Sequence, residues 1–400
     1  MPDTSSQPVA VQIGAGNIGR GFMAELFQRG GYRVTFIEVD PAVLGALADR
    51  GAYDIHHITN EGDDVVRITG VGGINGRDGD ICAEAIAGSD VVATAVGVRH
   101  LEAVAPTLAA GFLFRFSGTD APPLNVITCE NLLGAGRHLR GLVWQELQDS
   151  AGAVAPPRDV FEDRVGFVEA VVSRMVPVVP EDVRRRDPLW IACEPYARLP
   201  VDATAIRGKV PPVAGLEPVE PIEAYQQRKL ATHNMSHAAC AYLGYRAGHR
   251  FIWQAMEDAA VADAVRAAMD ATGRALISRY GFDPDAQRAH EADLRERYRN
   301  RALGDQVARV AADPLRKLGP ADRLIGSARL CLEEGIDPAA VLRAVRAALA
   351  YDRPDDPSAV RLQEMLAERG RAAVLREVCG LTDGDPLLAR LLDTEPVGEG

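Results

Sequence analysis

The stretch that says most about the fold is VQIGAGNIGRGF, residues 11–22. It continues an apolar run, Val9–Ile13, that predicts a strand, and it opens a segment of helical periodicity, residues 18–28. Between the two stands a G-x-G-x-x-G pattern made by Gly14, Gly16 and Gly19. Such glycines allow a tight turn and a close approach of a pyrophosphate, while the helix start supplies free N–H groups. The pattern is common by itself, but between a strand and a helix it predicts a dinucleotide site.

The next strand supplies a second element of that site. Arg33–Glu38 reads as a strand whose last residue, Glu38, can accept hydrogen bonds from ribose hydroxyls. An acid here favours NAD, because it would repel the 2′-phosphate of NADP. A later run, residues 90–96, leads into a TAVG turn that either lines the nicotinamide pocket or simply ends a strand. The predicted cofactor-binding residues are Gly14, Gly16, Asn17, Ile18, Gly19, Glu38, Thr94 and Val96.

Further strand-like runs alternate with helical patterns through the first half of the chain. They cover residues 90–96, 124–129, 167–172 and 189–193. This alternation predicts an α/β fold, a Rossmann-like, doubly wound parallel sheet. From residue 221 onward Ala, Leu, Arg and Glu dominate with helical spacing, which predicts a mainly α-helical C-terminal domain. We place the domains at residues 1–210 and 211–400, with the boundary at the start of a Pro-rich connector, residues 211–221. We expect the active site in the cleft between the two domains.

Composition restricts the partners. Apolar residues make up 47% and charged residues 25%, as in ordinary globular proteins, and the formal net charge is −12. This charge argues against nucleic acid or an anionic membrane as a partner. We see no signal peptide and no apolar run long enough to span a membrane. Six scattered cysteines without a zinc-like grouping predict reduced thiols, a cytoplasmic location and no metal site.

One segment carries a candidate catalytic group. RKLATHNMSHAACAYLG contains Lys229, Asn234 and His237, which on an α-helix fall within an arc of about 140°. Oxidising an alcohol requires a base for the hydroxyl proton and donors for the developing oxyanion. A lysine serves as that base when its pKa falls well below about 10.4. A single lysine on a helix is more often a solvated charge. We expect His233 to lie on a different helix face from His237 and outside this group.

The order of several motifs resembles one family. GAGNIGRGF, TAVG, PLNVITCEN, VGFVEAVVSRMVP, the Lys229 segment, LISRYGF and PLRKLGPADRLIG together resemble the polyol-specific long-chain dehydrogenases. Within that family the chain looks most like the mannitol-1-phosphate 5-dehydrogenase branch, and the likeness covers nearly the whole chain. The resemblance implies an NAD-dependent, metal-independent dehydrogenase that acts on a small polyol or sugar phosphate, favouring mannitol 1-phosphate and fructose 6-phosphate. It suggests a monomer or weak dimer.

The resemblance also implies roles for particular residues. Lys229 matches the lysine base, Asn131 and Asn234 match the oxyanion-stabilising asparagines, and His237 matches a histidine that contacts the substrate. Two basic residues eight positions apart, Arg309 and Lys317, match a pair that binds substrate hydroxyls. For a phosphate group, the candidate cations are Arg316, Lys317 and Arg323, although basic residues also flank many surface helices.

One departure from the family leaves alternatives open. The family strand usually reads V-D-R, whereas this chain has Ser173 before Arg174. Loss of that carboxylate would change the pH profile or the substrate. The alternatives are an unphosphorylated polyol or sugar-acid dehydrogenase of the same family, and a non-catalytic NAD-binding sensor.

Overall fold

The computed structural model describes residues 7–116, 121–151 and 155–393. The chain forms two compact units, the first ending at Tyr225 and the second beginning at Gln226. Each unit is described by itself below.

The first unit contains strands and helices in alternation. Its strands are β1 (Val9–Ile13), β2 (Arg33–Glu38), β3 (Ala52–Thr59), β4 (Gly62–Thr69), β5 (Gly72–Asn75), β6 (Val91–Thr94), β7 (Leu124–Thr128), β8 (Val165–Glu169), β9 (Ile191–Cys193), β10 (Leu199–Asp202) and β11 (Leu216–Val219). Its helices are α1 (Ala24–Arg29), α2 (Pro41–Arg50), α3 (Gly79–Ala87), α4 (Leu101–Phe116), α5 (Ala135–Ala151), α6 (Arg158–Arg164) and α7 (Glu181–Arg186). A further helix, α8 (Ile222–Arg228), crosses the boundary between the units.

Six strands form the main sheet in the order β5-β2-β1-β6-β7-β8, and every neighbouring pair is parallel. Successive residues face opposite sides, so Ala10 packs in one apolar core and Val11 in another. A sheet buried on both faces requires nearly continuous apolar strands, as the sequence has. The predicted Rossmann-like fold is confirmed. The strand order reverses between β1 and β6, and ligands of such sheets bind outside the carboxyl ends at that point.

The predicted strands differ in two respects from those observed. β1 and β2 have the predicted bounds, and β6, β7 and β8 fall in or near the predicted runs. The run at 189–193 does form β9, but it pairs with β3 in a separate sheet of order β4-β3-β9. The β3–β4 hairpin between α2 and β5 was not predicted. It covers part of the main sheet's apolar surface, because Tyr53 and Ile55 belong to the same core as Ala10.

The boundary between the units lies further along than residue 210. The connector belongs to the first unit because β11 pairs with β10 in parallel, and the N–H of Ala214 donates to the carbonyl of Leu26 at 3.1 Å. A Pro-rich composition had suggested a linker, but these hydrogen bonds are not visible in the sequence.

The second unit is built from helices, as predicted. They are α9 (Met235–Arg246), α10 (Ile252–Glu257), α11 (Ala259–Tyr280), α12 (Pro284–Tyr298), α13 (Val307–Ala311), α14 (Pro314–Lys317), α15 (Ile325–Glu333), α16 (Ala339–Leu349), α17 (Pro357–Glu377) and α18 (Pro386–Leu392). α9 is central, because α10, α11, α13 and α16 all pack against it. Its small residues allow this close packing, since a Cβ on Gly244 would lie 2.6 Å from the Cβ of Ala255. Among the described residues no helix is both long and apolar enough to cross a membrane.

Candidate active site

The glycine loop after β1 is held by contacts that leave no room for side chains. Gly14 has φ +90°, and its N–H donates to the carbonyl of Ile37 at 2.8 Å. A Cβ on Gly14 would lie 2.6 Å from the carbonyl oxygen of Ala95, and one on Gly19 only 2.0 Å from the carbonyl oxygen of Gly14. Both glycines are therefore required by the packing of the loop itself.

Gly16 is different. No heavy atom lies within 4 Å of where its Cβ would be, and the residue is exposed. Its φ is not in the left-handed region, so neither strain nor a neighbouring protein atom requires glycine here. A bare backbone facing open space suits close approach of a ligand, and Asn17 and Ile18 beside it are half-buried.

The carboxylate of Glu38 links the end of β2 to this loop. It accepts the N–H of Ala15 at 2.8 Å on one oxygen, and those of Val39 and Asp40 at 2.7 and 3.1 Å on the other. These hydrogen bonds fix the carboxylate beside the glycine loop, and its remaining lone pairs stay available to a ligand hydroxyl.

A groove with a volume of about 430 Å³ runs along this loop. Its lining includes Ala15, Gly16, Asn17, Glu38 and Asp40, together with residues of α7, among them Arg184 and Arg185. The sequence analysis missed both arginines. They are more than 160 residues from the glycines, and a run of arginines on a short exposed helix carries no signal of its own.

The helix after the loop begins with a π-helical turn, Gly19–Met23, before α1 continues it. The N–H of Ala24 accordingly donates to the carbonyl of Gly19, five residues back. The buried Arg20 in this turn donates to the carbonyls of Ala15 at 2.5 Å and Pro188 at 2.6 Å. It therefore fastens the glycine loop to the segment that follows α7.

The TAVG turn after β6 is organised by a residue that the sequence analysis missed. Glu130 follows β7 and accepts the N–H groups of Val96 and Gly97 at 3.0 and 2.8 Å. The half-buried Val96 packs close to Gly14, whereas Thr94 is fully buried inside the sheet, so its side chain offers no surface to a ligand. Asn131 is exposed next to Glu130. Because β6 and β7 are parallel neighbours, the turns that follow them lie at the same edge of the sheet. This is the feature from which Glu130 could have been predicted.

In the second unit, Lys229 and Asn234 lie on another π-helical turn, Lys229–Asn234. The N–H of Met235 donates to the carbonyl of Leu230, five residues back. The predicted arc of about 140° assumed α-helical geometry throughout. In a π-turn, residues five apart lie one above the other, so Lys229 and Asn234 share a face more closely than predicted. His237 follows three residues later in the first turn of α9.

His237 is held by a carboxylate. Its Nε2 lies 2.8 Å from Oδ2 of Asp305, whose Oδ1 accepts from Arg309 at 2.9 and 2.5 Å. The structure thus brings the predicted residues His237 and Arg309 together through Asp305. The sequence analysis missed Asp305, because a carboxylate four residues before an arginine is an ordinary helical ion pair.

The placement of His233 corrects the sequence interpretation. Its ring centroid is 6.0 Å from that of His237, as expected for residues four apart, and not on a different face. The ring is buried, and its Nδ1 has no hydrogen-bond partner among the described residues. Burial, with the charges of Arg297 and other cations, holds the pKa of His233 well below its ordinary value. His233 is therefore a neutral neighbour of Lys229.

The predicted phosphate-binding cations differ in their environment. Arg316 pairs with Asp313 at 2.8 Å, and Arg323 pairs with Asp322 at 2.8 Å. Lys317 is only 5% exposed, and within the described part of the chain no carboxylate lies at ion-pairing distance from its ammonium. Burial, reinforced by the charges of Arg323 and Arg316, lowers the pKa of Lys317 from 10.5 to about 8.

Ser173 is buried beside Arg174, in the first unit. Arg174 donates to the buried carboxylate of Glu25 at 2.5 Å, and Glu25 also lies 2.9 Å from Nε2 of His57. The V-S-R segment therefore contributes an internal ion pair. Over the described ranges, no cluster of His, Cys, Asp and Glu could hold a metal ion.

Comparison with known proteins identifies the family. A family model described as the mannitol dehydrogenase Rossmann domain matches residues 8–215, and the mannitol dehydrogenase C-terminal domain matches residues 221–392. The chain belongs to the mannitol dehydrogenase family. Membership confirms the resemblance seen in the sequence and the predicted enzyme class, an NAD-dependent dehydrogenase.

Individual relatives agree with this assignment. The chain is 39% identical to a mannitol-1-phosphate 5-dehydrogenase of Brevibacillus brevis over 379 residues, 95% of each chain. It is also 39% identical to a protein of the same name from Bacillus licheniformis over 380 residues, 95% of this chain and 97% of the relative. Among solved structures, the Pseudomonas fluorescens mannitol 2-dehydrogenase in complex with NAD and D-mannitol shares the fold. Its TM-score is 0.72, with 18% identity over 96% of this chain and 90% of that one.

Proposed function

We propose that this dehydrogenase interconverts mannitol 1-phosphate and fructose 6-phosphate. The names of the relatives at 39% identity support this substrate pair. The observation that carries the chemistry is the π-helical turn, because it aligns Lys229 with Asn234 next to His237. A base, an amide donor and an imidazole on one segment are the groups that oxidation of an alcohol requires.

The groove along the glycine loop is the proposed NAD site. Gly16 gives backbone access to a pyrophosphate, and the carboxylate of Glu38 can accept from ribose hydroxyls. Arg184 and Arg185, which also line the groove, add positive charge and flat guanidinium surfaces for the diphosphate or the adenine ring. Held by these residues, NAD would supply the hydride acceptor for the carbinol carbon. Val96 contributes to this site through the turn that Glu130 holds, whereas Thr94 is buried beneath that turn.

The proposed catalytic steps use a base, two amide donors and an imidazole. Lys229 takes the proton of the reacting hydroxyl, and returns it in the reverse direction. Asn131 and Asn234 donate amide N–H groups to the oxygen while it carries partial negative charge. His237 hydrogen-bonds a substrate hydroxyl. This arrangement needs no metal ion.

The proposed phosphate site contains Arg316, Lys317 and Arg323, with Arg309 contacting sugar hydroxyls. The support comes from Lys317, because a buried ammonium without a carboxylate partner is costly unless an anion occupies the site. Arg316 and Arg323 supply additional charge nearby.

The test is NADH oxidation with fructose 6-phosphate and, separately, with unphosphorylated fructose. We expect turnover of the phosphate ester, at a kcat/KM at least about 100-fold above that of fructose, because the phosphate contacts are charge-assisted hydrogen bonds. Lys229→Ala should lower kcat by about 100-fold or more while NADH still binds. Lys209→Ala, which removes an exposed lysine of the first unit, is the matched control and should leave turnover unchanged.

Other outcomes would contradict the proposal in distinct ways. Equal turnover of fructose and its phosphate would mean an unphosphorylated polyol substrate. Tight NADH binding without turnover of any polyol or ketose would support the non-catalytic sensor instead. Full activity of Lys229→Ala would exclude that lysine as the base.

A further inference from the structure

Asp305 is shared between the histidine and the arginine of the candidate site. It lies just before α13, and its side chain is 12% exposed. One carboxylate oxygen faces Nε2 of His237 at 2.8 Å, and the other accepts both Nε and Nη2 of Arg309. Both oxygens therefore have a nitrogen partner.

This environment determines the charge of Asp305. Burial alone would raise the pKa of its carboxyl, but the hydrogen bonds and charges of His237 and Arg309 outweigh burial and hold that pKa below its ordinary value. An ionised carboxylate can only accept hydrogen bonds. The nitrogen that faces it must therefore carry a proton, so in neutral His237 the hydrogen is on Nε2 and Nδ1 is an acceptor.

The ring is also prevented from turning. Tyr298 stacks on His237 with ring centroids 4.9 Å apart and planes 9° apart. The hydroxyl of Tyr298 donates to the carbonyl of His233 at 2.9 Å and lies 2.9 Å from Oγ of Ser236. Because the stacking partner is tied to the backbone of the π-turn, the imidazole can turn only through orientations that lose the stacking, and a completed flip would replace Nε2 by a carbon facing Asp305.

We propose that Asp305 is a positioning residue that selects the Nε2–H tautomer of His237, so that Nδ1 accepts a hydrogen bond from a substrate hydroxyl. The histidine then orients the alcohol as an acceptor and does not donate to the oxyanion, which is left to the asparagines. The substrate contact rests on the proposed function, whereas the tautomer follows from the geometry of Asp305, His237 and Tyr298.

The test reads the tautomer directly. The full chain is labelled with 15N-histidine, and the ring signals are recorded at alkaline pH, in the range where they no longer change as the pH is raised. His237 is assigned by comparison with His237→Gln. We expect the Nε2–H tautomer in the wild type. In Asp305→Asn, the amide N–H can donate to Nε2, so the proton should move to Nδ1 and the acceptor should be lost.

Kinetic measurements show how the tautomer of His237 affects turnover. By analogy with other carboxylate–histidine pairs, Asp305→Asn should lower kcat/KM for fructose 6-phosphate by about 10- to 1000-fold, with unchanged NADH affinity. Asp337→Asn is the matched control, since Asp337 is an exposed partner of Arg390 in the same unit. It should change neither the tautomer nor kcat/KM.

Two results would overturn the inference: an Nδ1–H tautomer in the wild type, or a tautomer switch in Asp305→Asn with kcat/KM unchanged. Failure of the proposed function is distinguishable from both. In that case the wild type would turn over no polyol or ketose, which would contradict the proposed contact between His237 and the substrate. The ring signals would still test the tautomer of His237.

Discussion

At the scale of single residues, the candidate site depends on side chains whose environment differs from that of their neighbours. Gly14 and Gly19 have no room for a side chain, whereas the protein atoms around Gly16 would allow one. We therefore attribute the glycine at position 16 to ligand contact. Lys317 is the buried cation in a run where Arg316 and Arg323 have carboxylate partners. In each case the functional interpretation comes from the surroundings of the residue and not from its amino-acid type.

The proposed phosphate contact of Lys317 predicts that the affinity for a phosphorylated ligand depends on pH. With a pKa of about 8, Lys317 is charged below pH 8 and loses its charge above it. The Kd of fructose 6-phosphate, measured by calorimetry with NAD present, should be nearly constant from pH 7 to 8. Above pH 8 it should rise by up to about tenfold per pH unit, the limit for one linked proton.

The variant Lys317→Met provides the comparison for this pH dependence. It keeps an apolar stem in the buried position, so it should bind fructose 6-phosphate more weakly and with a Kd that no longer rises above pH 8. A wild-type Kd that stays constant to pH 9.5 would show that Lys317 does not bind the phosphate.

At the scale of elements, both candidate sites contain a π-helical turn, Gly19–Met23 at the glycine loop and Lys229–Asn234 at the catalytic segment. A π-turn accommodates one more residue than an α-helical turn, and such turns occur frequently at functional sites. In the second unit it aligns two side chains that an α-helix would separate. In the first, it accompanies the buried Arg20, which ties the glycine loop to Pro188.

Helix α7 permits a test of the proposed NAD groove. Arg184 and Arg185 line the groove and pair with Glu181, which lines it too. Arg186, on the same short helix, does not line the groove and pairs with Asp182. The double variant Arg184→Ala/Arg185→Ala should raise the Kd of NADH by about 5- to 30-fold, equivalent to roughly 1–2 kcal/mol. The salt dependence of binding should also decrease, because exposed charges are screened by salt.

Arg186→Ala is the matched control for α7 and should bind NADH as the wild type does. Fluorescence titration of NADH at two salt concentrations measures both effects. If Arg186→Ala weakens binding as much as the double variant, the effect is that of general surface charge and the groove assignment is wrong.

At the scale of the whole molecule, the chain divides into two units, and a buried ion pair lies inside the first. Burial alone would raise the pKa of Glu25, but hydrogen bonds from His57 and Arg174 outweigh it and lower the pKa from 4.5 to about 2. A carboxyl whose pKa is lowered by folding stabilises the fold above its unfolded pKa. That contribution is lost as the pH falls from about 4.5 towards 2.

Glu25→Gln should therefore destabilise the first unit in a pH-dependent manner. At pH 7 we expect its free energy of unfolding to fall by about 3 kcal/mol. The difference from the wild type should shrink below pH 4.5, because the wild type then loses the same contribution. Urea unfolding in a Trp253→Phe background measures this, since the remaining tryptophans, Trp144 and Trp190, lie in the first unit.

The control for this measurement is Asp54→Asn. Asp54 forms an exposed ion pair with Arg67 in the same unit, so its loss should cost less than about 1 kcal/mol. A destabilisation by Glu25→Gln that stays constant from pH 7 to pH 3.5 would contradict the lowered pKa.

The amino-acid sequence was sufficient for the fold class, the position of the glycine loop and the family. These properties depend on local patterns: the apolar runs of β1 and β2, the glycines between a strand and a helix, and the helical spacing after residue 221. Because a parallel sheet and its helices impose short-range periodicities, the sequence records them directly.

The tertiary structure decided which residues complete the sites. Glu130 and Asp305 contact groups far from them in sequence. Arg184 and Arg185 line a groove together with residues of the distant glycine loop, and no local pattern marks either kind of proximity. The pairing of β9 with β3, the π-turn at Lys229 and the burial of Thr94 likewise depend on packing that only the folded chain creates. Hydrogen bonds and burial between distant segments have no periodicity, and that is why the sequence alone could not predict them.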